Sequence, residues 1–263
     1  MKKNMKPLLM MRTRGISGPY FAKHKGWNGV VKSLGNAFSA GISGEDIIFY
    51  DTFTGAVDIQ LVSISHKNNI EIDESGAGWK GASNIRIDTD GESCHCQFAN
   101  KWVNMETPGD TTFKSSLGIK VTTDKTVFNN NSFIIRRQVT SDSDNNEVSA
   151  AIANNIDESI TISIHTIKLG VKVLIPGTEL TLTSEGNINA NTNGDVYKDF
   201  SFTDDGDKVT LTCINTGQSV SATNAEIDSN GTGESLPPSK YSGFGSVQEG
   251  RDSKFDYFKV VRL

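Results

Sequence analysis

From Ile47 to the C-terminus the chain runs in short segments where apolar and polar residues take turns, as in Thr161-Ile162-Ser163-Ile164-His165-Thr166-Ile167. A period of two is the signature of a strand with one buried and one solvated face. The segments fall at 47–53, 69–73, 85–88, 94–102, 111–121, 132–140, 147–156, 159–169, 172–175, 179–184, 199–203, 208–215, 218–226 and 254–261. Between them stand Asp90-Gly91, Pro108-Gly109, Pro176-Gly177, Asn193-Gly194, Asp205-Gly206 and Asn230-Gly231, the residues that tight turns use. Strands with turn punctuation, and no helices alternating with them, predict an all-β fold. The expected form is two packed antiparallel sheets, a jelly-roll sandwich with an extended N-terminal arm.

Two stretches bracket this region. Phe49-Tyr50-Asp51-Thr52-Phe53-Thr54 stands near its start and Phe255-Asp256-Tyr257-Phe258-Lys259-Val260-Val261 at its end. Each sets aromatic residues around an aspartate, and the two are expected to lie side by side as first and last strands. A chain of 263 residues can bury one large core of this kind. No stretch reaches the length of a membrane span. The apolar run Leu8–Met11 is too short for a secretory leader and is followed by Arg12 and Arg14, so none is expected.

Charge divides the chain differently. Residues 1–44 hold eight basic groups and no acid, which leaves 18 basic and 31 acidic groups beyond, a net of −13. The arm, taken as residues 1–46, is broken by glycines; only 28–38 has the spacing of a short helix. Such an arm is suited to an anionic partner: nucleic acid, a membrane surface or an acidic subunit. The alternative is a solvated tail. The acidic body argues against nucleic acid as the main ligand. Arg12, Arg14, Tyr20, Phe21 and Trp27 are the candidates for anchoring the arm, since large aromatics tend to be buried, either on the chain's own domain or, as favoured here, on a neighbouring subunit.

The opening Asp51-Thr52-Phe53-Thr54, then Trp79, then Asn84-Ile85-Arg86-Ile87, resembles the start of concanavalin A-like (laminin-G-like) jelly-roll domains. Gly243-Phe244-Gly245 followed by Phe255-Asp256-Tyr257-Phe258-Lys259-Val260 resembles their end. The resemblance brackets residues 47–263 and implies the sandwich, with glycan binding, glycan cleavage or a structural role in viral particles as possible uses. A glycine- and asparagine-rich, cysteine-poor sandwich behind a basic arm is also similar in layout to bacteriophage virion proteins. The expectation is a non-enzymatic virion subunit (appendage, fibre or decoration). It is anchored through its arm to other virion proteins, assembled as a homo-oligomer and open to host-surface glycans. The alternative is a carbohydrate-active enzyme, a glycoside hydrolase or lyase.

Glycanases of this fold carry Glu-x-Asp-x-Glu, or a bulged variant with one more residue. Here Glu71-Ile72-Asp73-Glu74-Ser75-Gly76 begins that pattern and then places Ser75 or Gly76 where the acid belongs. A retaining mechanism needs both carboxyls, so no catalytic residues are expected. The acidic turns at 88–92, 142–147 and 204–207 are either ordinary hairpins or partial calcium loops, and no cofactor is expected beyond that option. Cys94, Cys96 and Cys213 have no disulfide or zinc spacing and suit buried thiols. For sugars, the useful side chains are aromatics that stack on pyranose faces. Trp79, Trp102 and Tyr241 are the candidates, against the alternative that the tryptophans serve the core.

Overall fold

A computed structural model of the chain describes residues 45–81, 84–98, 101–121, 130–137, 146–155, 159–183, 196–231, 235–246 and 250–263. The arm candidates Arg12, Arg14, Tyr20, Phe21 and Trp27, the helix expected at 28–38 and the acidic turn from Asp142 lie wholly or largely outside the described residues. The strands are β1 (Ile47–Asp51), β2 (Ile72–Asp73), β3 (Lys80–Gly81), β4 (Ile85–Ile87), β5 (Cys94–Cys96), β6 (Lys101–Glu106), β7 (Phe113–Val121) and β8 (Asn130–Arg137). They continue with β9 (Glu147–Asn154), β10 (Ile160–Lys168), β11 (Val171–Thr181), β12 (Val196–Asp204), β13 (Lys208–Cys213), β14 (Ser219–Thr223), β15 (Tyr241–Ser246) and β16 (Gly250–Arg262). Two short helices, α1 (Ile64–Lys67) and α2 (Asn224–Ser229), interrupt them.

The strands form two sheets, antiparallel at every described pairing. One runs β14-β13-β12-β7-β16-β1-β2, with β5 also joined to β16 and β4 to β5; the other runs β11-β10-β9-β8-β15-β6-β3. The first and last strands do pair: Phe49 faces Val260, Tyr50 faces Lys259 and Asp51 faces Phe258. β16 then carries β7 on its other side, so the first and last described strands both sit inside the sheet. This is the jelly-roll sandwich, and its regular structure is nearly all strand, 55% against 6% helix.

 

The core lies between the sheets because each strand turns its apolar half inward. Ile160, Ile162 and Ile164 of β10 are fully buried, while Thr161 and His165, at alternate positions of the same strand, face outward. Phe200, Phe202, Leu117, Ile119, Phe255, Phe258 and Phe244 fill the space from the two inner faces. Burying a side chain of this size contributes about 1.5–3 kcal/mol before the cost of ordering it. Trp79 is the hub of the aromatic part. Its ring centroid lies 4.9 Å from Phe49, 5.2 Å from Phe244 and 5.1 Å from Phe258, each edge to face.

The D-x-F opening has a physical basis here. Asp51 is fully buried, and its Oδ1 accepts from the Phe53 backbone N–H at 2.8 Å. Its Oδ2 accepts from Trp79 Nε1 at 2.6 Å and stands 2.8 Å from His66 Nε2. The hydrogen bond to Phe53 holds that residue at φ 54°, a left-handed conformation rare for a bulky side chain. One carboxylate thus ties the end of β1 to α1 and to the core tryptophan. The three cysteines are free and buried, and burial pushes the Cys96 thiol up to about 12.

Several segments depart from the sequence expectation; the strand expected at 94–102 divides into β5 in one sheet and β6 in the other. The strand expected at 218–226 ends at Thr223, where α2 begins. Thr223 Oγ1 accepts from the Glu226 N–H and Glu226 reaches back to the Thr223 N–H, a capping box that outweighs the alternation. The segments expected at 172–175 and 179–184, with Pro176-Gly177 as a turn between them, form the single strand β11. Its register against β10 shifts between Ser163 and His165. At that bulge the Thr178 hydroxyl lies 3.0 Å from the Ile164 carbonyl and 2.7 Å from that of Ile175. A buried side chain therefore supplies polar contacts where the ladder is broken.

Candidate functional site

The outward face of the seven-stranded sheet carries the candidate site. Its floor comes from β9, where the sequence places small residues at alternate positions: Ser149, Ala151 and Ala153 point away from the core while Val148, Ala150 and Ile152 point into it. On β10 the outward residues are Thr161, Ser163 and His165, directly opposite Ala153, Ala151 and Ser149. On β11 the bulge brings Glu179 opposite Ser163, and Lys172 stands opposite Ile167. Small residues on one strand and longer ones on the next two leave a groove of about 400 Å³, lined by Ala151, Ala153, Asn155, Thr161, Ser163, His165, Lys172 and Glu179.

The groove is polar and partly ordered in advance. Asn155 Nδ2 donates to Ser159 Oγ and to Thr161 Oγ1, both at 2.8 Å. The Ser163 hydroxyl lies 2.9 Å from His165 Nε2. Burial, with the neighbouring Lys172 charge, lowers the His165 pKa to about 4, so the imidazole is neutral at neutral pH. Lys172 is exposed by surface area, yet the groove wall takes away part of its hydration and lowers its pKa, an effect that Glu147 partly opposes. What the lining offers is hydroxyl, amide and imidazole groups for hydrogen bonding, a carboxylate near one end and an ammonium group at the other.

Two of the three aromatic candidates share this face. Trp102 and Tyr241 lie on β6 and β15, paired with Gly245 and Glu106 respectively, two to three strands from β9 or about 10–15 Å. Both are half-buried. A side chain at Gly245 would run into the Trp102 ring at 2.5 Å, so glycine there is what lets the indole lie across β15. Glu106 sits beside them between Lys240 at 2.5 Å and Lys80 at 3.0 Å, and these two hydrogen bonds hold its carboxyl below the usual range. Trp79 is placed elsewhere. It is 4% exposed, enclosed by three phenylalanines and bonded to Asp51, so it has no open ring face for a sugar.

The acidic motifs singled out in the sequence have local partners. Glu71 accepts from the Thr52 N–H and hydroxyl at 3.0 and 2.8 Å. Asp73 accepts from Ser75 Oγ, the Gly76 N–H and the Gly78 N–H, and Glu74 pairs with Arg262 at 2.5 Å. These three shape the edge at β2, on the other sheet from the groove. At 88–92, Lys254 Nζ pairs with Asp88 and stands 3.7 Å from Asp90. Burial alone would raise the Asp88 pKa. The hydrogen bonds from Lys254 and the Thr89 backbone, with the charges of Lys254 and His95, outweigh it and hold the group low. Asp90 closes its own turn through Glu92 and Ser93, and Asp205 does the same through Asp207 and Lys208. Among the described residues no group of three or more His, Cys, Asp or Glu is placed to hold a metal ion.

Sequence reasoning passed over the groove residues. The signal was present: Thr161, Ser163 and His165 alternate with buried isoleucines, which puts all three on one face. Their meeting with Glu179 and Lys172 depends on the register of β11, which the sequence does not display.

No family model matches the chain, and no curated protein sequence matches it either. Several solved structures have a similar shape. The CBM2 module of the evolved Dit of Lactobacillus casei BL23 phage J-1 is 10% identical, with 83% of this chain and 97% of that one covered and a TM-score of 0.45. The VIP36 exoplasmic/lumenal domain in its Ca2+/Man3GlcNAc-bound form is 12% identical, with 79% and 88% covered and a TM-score of 0.45. The xylan beta-1,4-xylosidase from Bacillus halodurans C-125 is 9% identical, with 81% of this chain but 39% of the enzyme covered and a TM-score of 0.48.

Proposed function

We propose that this chain is a non-enzymatic, glycan-binding structural subunit that takes saccharides on the outward face of its seven-stranded sheet. The observation that carries the reading is the groove over Ala151 and Ala153, walled by Asn155, Thr161, Ser163, His165 and Glu179. A saccharide offers many hydroxyls that both donate and accept. The groove answers with groups of both kinds on a rigid sheet, where little ordering cost remains. Trp102 and Tyr241 extend the same face with aromatic surface.

Cleavage is the weaker reading, for a chemical reason. Glycoside hydrolysis generally needs two carboxyls flanking the bond, and the groove lining has one, Glu179. Glu71, Asp73 and Glu74 are engaged at β2 on the other sheet.

The basic arm of residues 1–44 is the anchoring segment of this proposal, attaching the subunit to other proteins of a virion and to further copies of itself. Its cluster of eight basic groups without an acid, together with Tyr20, Phe21 and Trp27, supports that role.

The test is a glycan array probed with the wild-type chain and with Ala151→Arg, which fills the groove floor. Wild-type binding to a defined set of glycans that falls at least tenfold in the variant is the expected result. Equal binding by both proteins, or none by the wild type, overturns the proposal.

A further inference from the structure

The groove is electrostatically lopsided, and that asymmetry points to a class of ligand. Lys172 stands opposite Ile167 and Glu179 opposite Ser163. Their rows are four residues apart along β10, or about 13 Å. Among the described residues, no carboxylate comes within the 4.0 Å of an ion pair with Lys172 Nζ; Glu147 acts on it only at longer range. The neighbouring imidazole of His165 is engaged with Ser163 Oγ at 2.9 Å. The Lys172 ammonium is therefore the cationic group of the groove lining, partly stripped of water and lacking a counter-charge at contact distance.

We infer that the groove selects acidic saccharides, with the anionic substituent of one sugar on Lys172 and the hydroxyls of its neighbour toward Ser163 and Glu179. This rests on the glycan-binding reading and names the ligand class for that site. A partly desolvated ammonium gains more from a carboxylate or phosphate oxygen than from a hydroxyl, because the hydrogen bond is charge-assisted. Glu179 sets the opposite end: an ionised carboxylate only accepts hydrogen bonds, so it welcomes sugar hydroxyls and repels a second anion. The two charges together fix the direction in which an acidic oligosaccharide lies. Carboxylate-bearing and phosphate-bearing sugars share the chemistry that Lys172 recognises.

The experiment is an array of matched neutral, uronate-bearing and phosphate-bearing oligosaccharides. It is probed with the full chain and with Lys172→Gln and Glu179→Gln, at low and at high salt. Lys172 is exposed, so its replacement leaves the core intact. The expected result is acidic glycans bound above their neutral counterparts, with affinity falling about 10- to 100-fold in Lys172→Gln and weakening with salt. Glu179→Gln should retain or strengthen acidic binding while weakening neutral binding. The uronate and phosphate arms show which anion is preferred. Neutral and acidic glycans bound alike, with no effect of Lys172→Gln, overturn the inference and leave the glycan-binding reading standing. No binding to any glycan overturns that reading and this inference with it.

Discussion

Asp51 concentrates more structural consequence than any other side chain described. It is fully buried and satisfies three donors: the Phe53 N–H, Trp79 Nε1 and His66 Nε2. Removing the acceptor leaves those donors dry, at about 1–3 kcal/mol for each unsatisfied group. Asp51→Ala is therefore expected to lower unfolding stability by about 4 kcal/mol, read from the midpoint in urea at neutral pH. A loss under 1 kcal/mol contradicts the account of this network. His165 makes a different prediction, in pH. Its folded pKa is about 4 against an ordinary 6.5, so between those values the unfolded chain binds the extra proton. Stability contributed by the neutral imidazole is complete above pH 6.5 and falls as pH drops toward 4. Allowing for solvent screening of a half-exposed group, wild type should lose about 1 kcal/mol more than His165→Gln between pH 7.5 and 5. Parallel losses in the two proteins contradict it. At this scale the sequence was partly legible. Asp51, Phe53 and Trp79 stood out as a motif, but His66 carries no local sign of its bond to a residue 15 positions away. The sugar-stacking role expected of Trp79 had no way to announce that the ring is enclosed by Phe49, Phe244 and Phe258 from three other strands.

Elements were legible where local pattern and tertiary demand agree. The pairing of β1 with β16 followed from two aromatic strands around aspartates, and the alternation of β10 gave its inner and outer faces directly. The misses have local causes. Pro176-Gly177 does lie where the ladder breaks: residues 175–178, with Gly177 at φ 80° and Thr178 bonded back to Ile175, stand against Ile164 alone, but β11 runs on through them as one strand. The break expected between 169 and 172 is the hairpin from β10 to β11, which turns through Leu169 at φ 52° and Gly170 at φ 78° although leucine is not a residue that advertises such a turn. At 224–229, a capping box overrode a strand-like pattern. The arm is also an element-scale prediction, since all sixteen described strands lie within 47–262. Deleting residues 1–44 should leave a chain that unfolds cooperatively at an unchanged urea midpoint. By light scattering, the full chain should form discrete oligomers and the shortened one monomers. Identical masses for the two contradict the anchoring role, and a shortened chain that fails to fold shows that the arm belongs to the core.

For the whole molecule, the division of labour runs through the sandwich. The inner faces hold the aromatic and isoleucine core, the edge at β2 and the end around Arg262 carry carboxylates committed to structure, and the outer face of the seven-stranded sheet carries the groove. Fold class was readable because it follows from periodicity repeated over many strands, so single errors do not accumulate. The site was not, because it is a property of register: Thr161, Ser163, His165, Lys172 and Glu179 come together only once β11 is aligned on β10 with its bulge. The central claim is that this face binds glycan. It is tested most directly by following backbone amide resonances of the isotopically labelled chain while titrating the tightest oligosaccharide from the array. The account predicts shifts concentrated at β9, β10 and β11, extending to Trp102 and Tyr241, with the outer face of the nine-stranded sheet unmoved. Shifts confined to that other face, or none at saturating ligand, would contradict it.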